Sequence, residues 1–172
     1  MKDLGPIHTK LFFVAVLIIS HLLTTGGCQR KKSPIEGKSI AELEAMLGNT
    51  NPTAQAQGAM GLGSLGEEAA PAVPKLIEAL KSPESLVRQN AAQALGKMAP
   101  QAKTALGPLI ELLKDSEWTV RRQAALAIGQ FHDDGQPALI GLEQLARDPD
   151  PQVRKAAKKA IDMIKDSSGR GR

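Results

Sequence analysis

The sequence predicts an all-α fold, an α-solenoid of about four stacked helix pairs, and three observations lead there. The 172-residue chain has only four aromatic residues (Phe12, Phe13, Trp118, Phe131), so its core is aliphatic and alanine-rich. Such a core suits helices and leaves a β-sheet without the residues it favours. Laid on itself with a shift of 33 residues, the chain aligns without gaps from Ile40 to Ile161. Within each period, two apolar stripes recur at spacings of three and four, the mark of a buried helix face.

The chain starts with an address. Lys2 and Lys10 precede the apolar run Leu11 to Leu23, which Ser20 and His21 interrupt. That run is too short for a helix that spans a bilayer, which takes roughly 20 residues, and its order is that of an export signal. Gly26 and Gly27 stand before Cys28, the only cysteine. This resembles a bacterial lipoprotein signal, in which residues 1–27 are removed and Cys28 is lipidated, although Thr25 departs from the usual leucine. A cleaved signal leaving a free thiol, or an uncleaved anchor, are the alternatives. The resemblance implies several acyl chains on Cys28 and stable tethering at the cell envelope. Gln29 after the cysteine points to the outer membrane of a two-membrane cell. Residues 28–38 then form a polar linker with Arg30, Lys31 and Lys32 near the lipid surface.

The repeat domain is expected over residues 39–165. Its first helix has a capping box, Ser39-x-x-Glu42. First helices begin at Ile40, Val73, Leu106 and Leu139, and end near Leu47, Leu80, Leu113 and Ala146. Connectors follow, with Asn49, Ser82, Asp115 and Asp148 at one equivalent place. Asn51-Pro52 and Asp150-Pro151 read as an N-cap before proline at the first helical position. Second helices carry Ala54, Val87, Val120 and Val153, then Gly58, Ala91, Ala124 and Ala157, then Leu62, Leu95, Ile128 and Ile161. No single pair can cover its own stripe, so the pairs must stack. Pro71, Pro74, Pro100, Pro108 and Pro137 mark the links between repeats. The first repeat, with Gly58, Gly61 and Gly63 in a helix, is expected to be the softest. The last has Lys158 and Asp162 where its neighbours have alanine and glycine, which fits a polar cap. Residues 166–172 read as a disordered tail.

The pieces "LIEALKSPESLVRQNAAQALGKM", "LIELLKDSEWTVRRQAALAIGQF" and "LEQLARDPDPQVRKAAKKAIDMI" resemble the HEAT repeat, in the short form first named in phycobilisome lyases. The resemblance implies a superhelix that binds proteins, and it implies a ladder. In that family an arginine of the second helix bonds the acidic connector residue six positions earlier. Here that would pair Arg121 with Asp115 and Arg154 with Asp148, with Ser82 weakening the rung at Arg88. A ligand-binding arginine row is the competing reading. No lyase chemistry is carried over.

Other candidates are weighed on their residues. The outer face of the second helices should present Gln89, Asn90, Gln93, Arg122, Gln123, Leu126, Lys155, Ala156 and Lys159, either as a partner-binding ridge or as plain solvated surface. Trp118 is an interface anchor or a packing residue of the connector. Residues 39–152 hold 9 basic and 14 acidic side chains, whereas residues 153–172 hold 7 and 2. Lys155, Lys158 and Lys159 share a helix face there, and form either a contact for anionic surfaces or the polar side of a cap.

Catalysis finds little support. Beyond the leader His132 is the sole imidazole, and His132-Asp133-Asp134 before Gly135 reads as a turn. Neither a metal nor another cofactor is expected, nor a small-molecule substrate. Two aromatics beyond the leader offer no platform for nucleic acid. The expectation is a monomeric, lipid-anchored envelope adaptor for an unidentified protein. The alternative is a structural lipoprotein that touches membrane or cell wall through its basic last helix.

Overall fold

The structure, a computed structural model, describes residues 35–169. The expected signal, Cys28 and the basic linker residues lie outside that range.

Four helix pairs follow one another: α1 (Ile40–Leu47) with α2 (Pro52–Leu65), α3 (Val73–Ala79) with α4 (Ser85–Lys97), α5 (Leu106–Glu111) with α6 (Trp118–Gly129), and α7 (Leu139–Leu145) with α8 (Pro151–Gly169). Each first helix starts at the residue the 33-residue register names. The links are short 3-10 turns, Gly66–Ala72, Lys103–Ala105 and His132–Ala138. Pro71 and Pro137 sit inside two of them, where a missing amide hydrogen breaks no α-helical ladder.

Local signals act where they were expected. Ser39 and Glu42 close a reciprocal capping box, with the Ser39 amide donating to Glu42 Oε2 at 2.8 Å and the Glu42 amide to Ser39 Oγ at 3.3 Å. Asn51 accepts from the Thr53 amide at 2.9 Å, and Asp150 from the Gln152 amide at 2.8 Å. Glu84 and Glu117 occupy the same cap position before α4 and α6, yet their side chains make no cap bond. The residue two places earlier holds the turn in all four connectors, as the amides of Asn51, Glu84, Glu117 and Asp150 donate to Asn49 Oδ1, Ser82 Oγ, Asp115 Oδ1 and Asp148 Oδ1.

The second helices α2, α4, α6 and α8 pack against one another in order and form one close layer. Their apolar faces make the core: Val87, Val120 and Val153 are buried, as are Ala91, Ala124 and Ala157, and Leu62, Leu95 and Ile128. Small residues allow the closeness. A Cβ at Gly63, Gly96 or Gly129 would lie 3.0, 2.8 or 3.0 Å from the Cα of Ala94, Ala127 or Ala160 of the next helix. The fourth residue of that series, Asp162, is exposed.

Two expectations change. Gly58 looks like a weak point in α2, but a Cβ there would lie 2.7 Å from the Leu43 carbonyl oxygen and 2.8 Å from the Leu47 nitrogen. The glycine is what lets α1 cross so closely, so its helix-propensity cost is spent on packing within the first repeat. Residues 166–169, expected to be tail, continue α8. Ser168 holds them, as it accepts from the Gln136 amide and its one hydroxyl hydrogen has the Asp133 carboxylate and the Ile164 carbonyl within reach, at 3.0 and 3.1 Å.

Candidate functional site

The connectors carry two bidentate arginine–aspartate pairs that join neighbouring repeats. Arg88 reaches out of α4 and forks onto the Asp115 carboxylate, with Nε to Oδ2 and Nη2 to Oδ1 both at 2.8 Å. Its remaining nitrogen, Nη1, donates to the carbonyls of Ser82 and Pro83, each at 2.9 Å. Arg121 repeats the pattern on Asp148, at 2.8 and 3.1 Å, and on the carbonyls of Asp115 and Ser116. Arg154 bonds the carbonyls of Asp148 and Pro149.

This corrects the expected ladder. Each arginine does bond the residue six places earlier, but through that residue's backbone carbonyl. Its carboxylate partner is the connector aspartate of the following repeat, 27 residues ahead. Ser82 therefore does not weaken Arg88, which has its full set of partners; what Ser82 removes is the acceptor for the previous repeat. That repeat has Gln55 at the arginine position, and Gln55 donates to the Asn49 carbonyl alone of its connector. The first junction has thus lost both halves of the rung. Arg154 meets no following connector among the described residues.

Electrostatics follow the geometry. The Asp115 side chain is 7% exposed and burial pushes its carboxyl up, but the Arg88 hydrogen bonds, the Glu117 amide and the nearby arginine charges outweigh this. They hold it below the ordinary carboxylate value. The Arg121 hydrogen bonds, aided by the Asp150 amide, hold Asp148 low against burial. Arg88 and Arg121 are raised in turn, first by the hydrogen bonds to Asp115 and Asp148. Charge-assisted forks of this kind are among the stronger hydrogen bonds in proteins.

The expected ridge is only partly open. Gln93 is exposed and Gln89, Arg122 and Gln123 are half-buried. Asn90 is a correction: its amide donates to the Ala56 carbonyl of α2 at 3.1 Å and ties the first two repeats together. Ala156 is buried. Trp118 is 41% exposed at the start of α6, so connector packing leaves much of its indole uncovered. Met60, one repeat before Gln93 in register, is 48% exposed. Lys155, Lys158 and Lys159 are all exposed on α8.

His132 has a φ of 49° and opens the third link, where Asp134 pairs with Lys103 at 2.8 Å. Among the described residues, no group of three or more His, Cys, Asp or Glu side chains is arranged to hold a metal ion. Among them, too, no helix is long and apolar enough to cross a membrane.

Stacked helix pairs joined by interlocking arginine–aspartate rungs define an α-solenoid built from tandem repeats. Residues 39–106 and 73–162 match the HEAT repeats family, and the chain belongs to it. No curated protein matches the chain. Among solved structures it is similar to an engineered protein, at 24% identity and a TM-score of 0.64, covering 74% of this chain and 63% of that one. It is similar also to human deoxyhypusine hydroxylase, at 27% identity and a TM-score of 0.58, covering 76% of this chain and 45% of that one. A third is the complex of CpcE and CpcF of phycocyanin lyase from a Nostoc species, at 20% identity and a TM-score of 0.60, covering 84% and 71%. The chain thus spans less than two thirds of the first two of these structures.

Proposed function

We propose that this chain is a lipid-anchored envelope adaptor, tethered through Cys28, that binds a protein partner along the outer row of its second helices and does no chemistry of its own. The observation that carries the reading is the row itself. Met60, Gln93, Leu126 and Lys159 stand 33 residues apart on a rigid layer, and Met60 and Trp118 leave large apolar side chains uncovered beside polar Gln93 and Arg122. Apolar anchors in a polar setting are what binding hot spots are made of. A preformed row also asks for little ordering on binding.

In-cell crosslinking of the tagged full chain, followed by mass spectrometry, tests the reading. The Gln93→Glu/Arg122→Glu variant should lose at least about 1.4 kcal/mol of binding, a tenfold drop in capture, with an unchanged thermal midpoint. Undiminished capture moves the interface elsewhere. Cys28→Ala should release the chain from the membrane fraction, and continued lipid labelling would refute the anchor. The exposed Lys155, Lys158 and Lys159 favour a second reading, contact with an anionic surface through α8. That contact should weaken steeply as salt rises, and capture along the ridge much less.

A further inference from the structure

The missing first rung leaves a space, and its lining identifies what fits. Between the first and second repeats runs an open groove of about 810 Å³, whose lining includes Gln55, Ser82, Glu84 and Val87. The corresponding groove between the third and fourth repeats measures about 470 Å³. There Arg121 and Asp148 bridge the repeats, and Asp148 is part of the lining. At the first junction neither partner of that bridge exists. Gln55 is too short and has no fork, while Ser82 keeps the turn of its connector but brings no carboxylate.

Part of the guanidinium site is still in place. Glu84 is the counterpart of Glu117 and Asp150, whose charges act on Arg88 and Arg121 in the intact rungs. The Thr50 carbonyl stands in register with that of Pro83, which accepts from Arg88 Nη1, whereas the Asn49 carbonyl accepts from Gln55. The lining carries Glu44, Glu78 and Glu84 against Lys75 and Lys81. Lys75 is already committed to Glu44 at 2.8 Å, so Glu78 and Glu84 outnumber the remaining lysine.

We propose that this groove receives an arginine side chain from a protein partner, whose guanidinium takes the place that Arg88 and Arg121 fill at the intact junctions. The inference deepens the adaptor reading by giving the partner one chemical feature, at a site separate from the ridge. A planar fork with five donors can meet the Thr50 carbonyl and the Glu84 carboxylate together in a way that a lysine ammonium does not. Entry is from the side of the first helices α1 and α3, whereas the ridge lies on the second-helix layer. Loss of ridge capture and loss of groove binding are therefore read independently.

The test uses the full chain in detergent, labelled with nitrogen-15, and N-acetyl-argininamide as the probe. Saturable shifts are expected at the amides of Gln55, Ser82 and Glu84. The uncharged isostere N-acetyl-citrullinamide should bind at least about tenfold more weakly, since it lacks the charge assistance. Gln55→Arg/Ser82→Asp rebuilds the rung from within, so it should raise the thermal midpoint and abolish the saturable shifts. Ser82→Asp alone adds a carboxylate without filling the space, and should tighten the probe several-fold. The proposal is overturned if wild type shows no saturable shift, or if citrulline binds as well as arginine. It is overturned equally if the probe still saturates the rebuilt rung, or if Ser82→Asp leaves its affinity unchanged. Ridge variants such as Gln93→Glu should leave probe binding as it is, whatever they do to partner capture.

Discussion

A glycine in a helix has two opposite meanings, and only its surroundings say which applies. Gly96 stands where α4 touches α6, and a methyl group there would press on the Ala127 Cα at 2.8 Å. Alanine is the better helix former by about 1 kcal/mol, but overpacking a close helix contact costs about 1–3 kcal/mol. Backbone at the point of contact cannot turn aside as a side chain could, so the upper half of that range applies. Gly96→Ala should therefore lower the urea-unfolding free energy by at least about 1 kcal/mol. Gly48 is the control. It caps α1 with a φ of −82°, is exposed, and a methyl group added there would meet only the Glu44 and Ala45 carbonyl oxygens, at an ordinary 3.8 Å. Gly48→Ala should gain about 0.5 kcal/mol by narrowing the unfolded ensemble. A gain at both positions would show that the second-helix layer is looser than its geometry.

The element that matters most is the connector, because one arginine there serves two repeats at once. Removing Arg121 leaves Asp148, whose side chain is 7% exposed, with the Asp150 amide as its remaining donor, and takes the donor from two carbonyls. Losing a charge-assisted fork and stranding its carboxylate should cost about 3 kcal/mol. Arg154 bonds only its own connector carbonyls, so Arg154→Ala should cost about 1 kcal/mol. The same rungs set an acid limb. Asp115 and Asp148 are held below the ordinary carboxylate value when folded. Their contribution is complete above the unfolded value of about 3.9 and is lost as pH falls through the folded one. Stability should thus decline below about pH 4, less steeply in Arg121→Ala; urea midpoints from pH 2 to 6 would read both effects, and equal slopes would remove the rungs as their cause. Helix starts, caps and the buried valines were all legible in the sequence, since spacing and cap residues are local signals. The direction of the rung was not, because a repeat reads the same whether its arginine bonds backward or forward. One signal was present: Gln55 and Ser82 depart together, 27 residues apart, whereas the backward pairing would leave Ser82 facing an unchanged Arg88. The tie of Asn90 to Ala56 had no such signal, for its counterparts are Gln57, Gln123 and Ala156.

At the scale of the whole array, stability is a sum of repeats and of the junctions between neighbours, so the weakest junction decides where the solenoid opens. The second and third junctions each have a guanidinium fork between largely buried partners. The first has the neutral Asn90 to Ala56 bond, the Gln101 to Glu67 contact, and the Lys75–Glu44 pair, whose lysine side chain is 54% exposed. A neutral bond contributes about 1 kcal/mol and an exposed pair less than that. Among the described residues the pair α1–α2 also has one neighbouring pair instead of two, and the close contact of Gly58 with α1 strengthens that pair internally without binding it to the next. The first repeat should therefore detach as a unit before the rest. Native-state hydrogen exchange would show it directly: the amides of Ala59 and Leu62, although fully buried, should exchange through an opening with lower free energy and a shallower denaturant slope than those of Ala124 and Ile128. Gln55→Arg/Ser82→Asp should bring the two groups together. If Leu62 and Ile128 already share one free energy and one slope in the wild-type chain, the first junction is as strong as the others and the lost rung costs the array nothing.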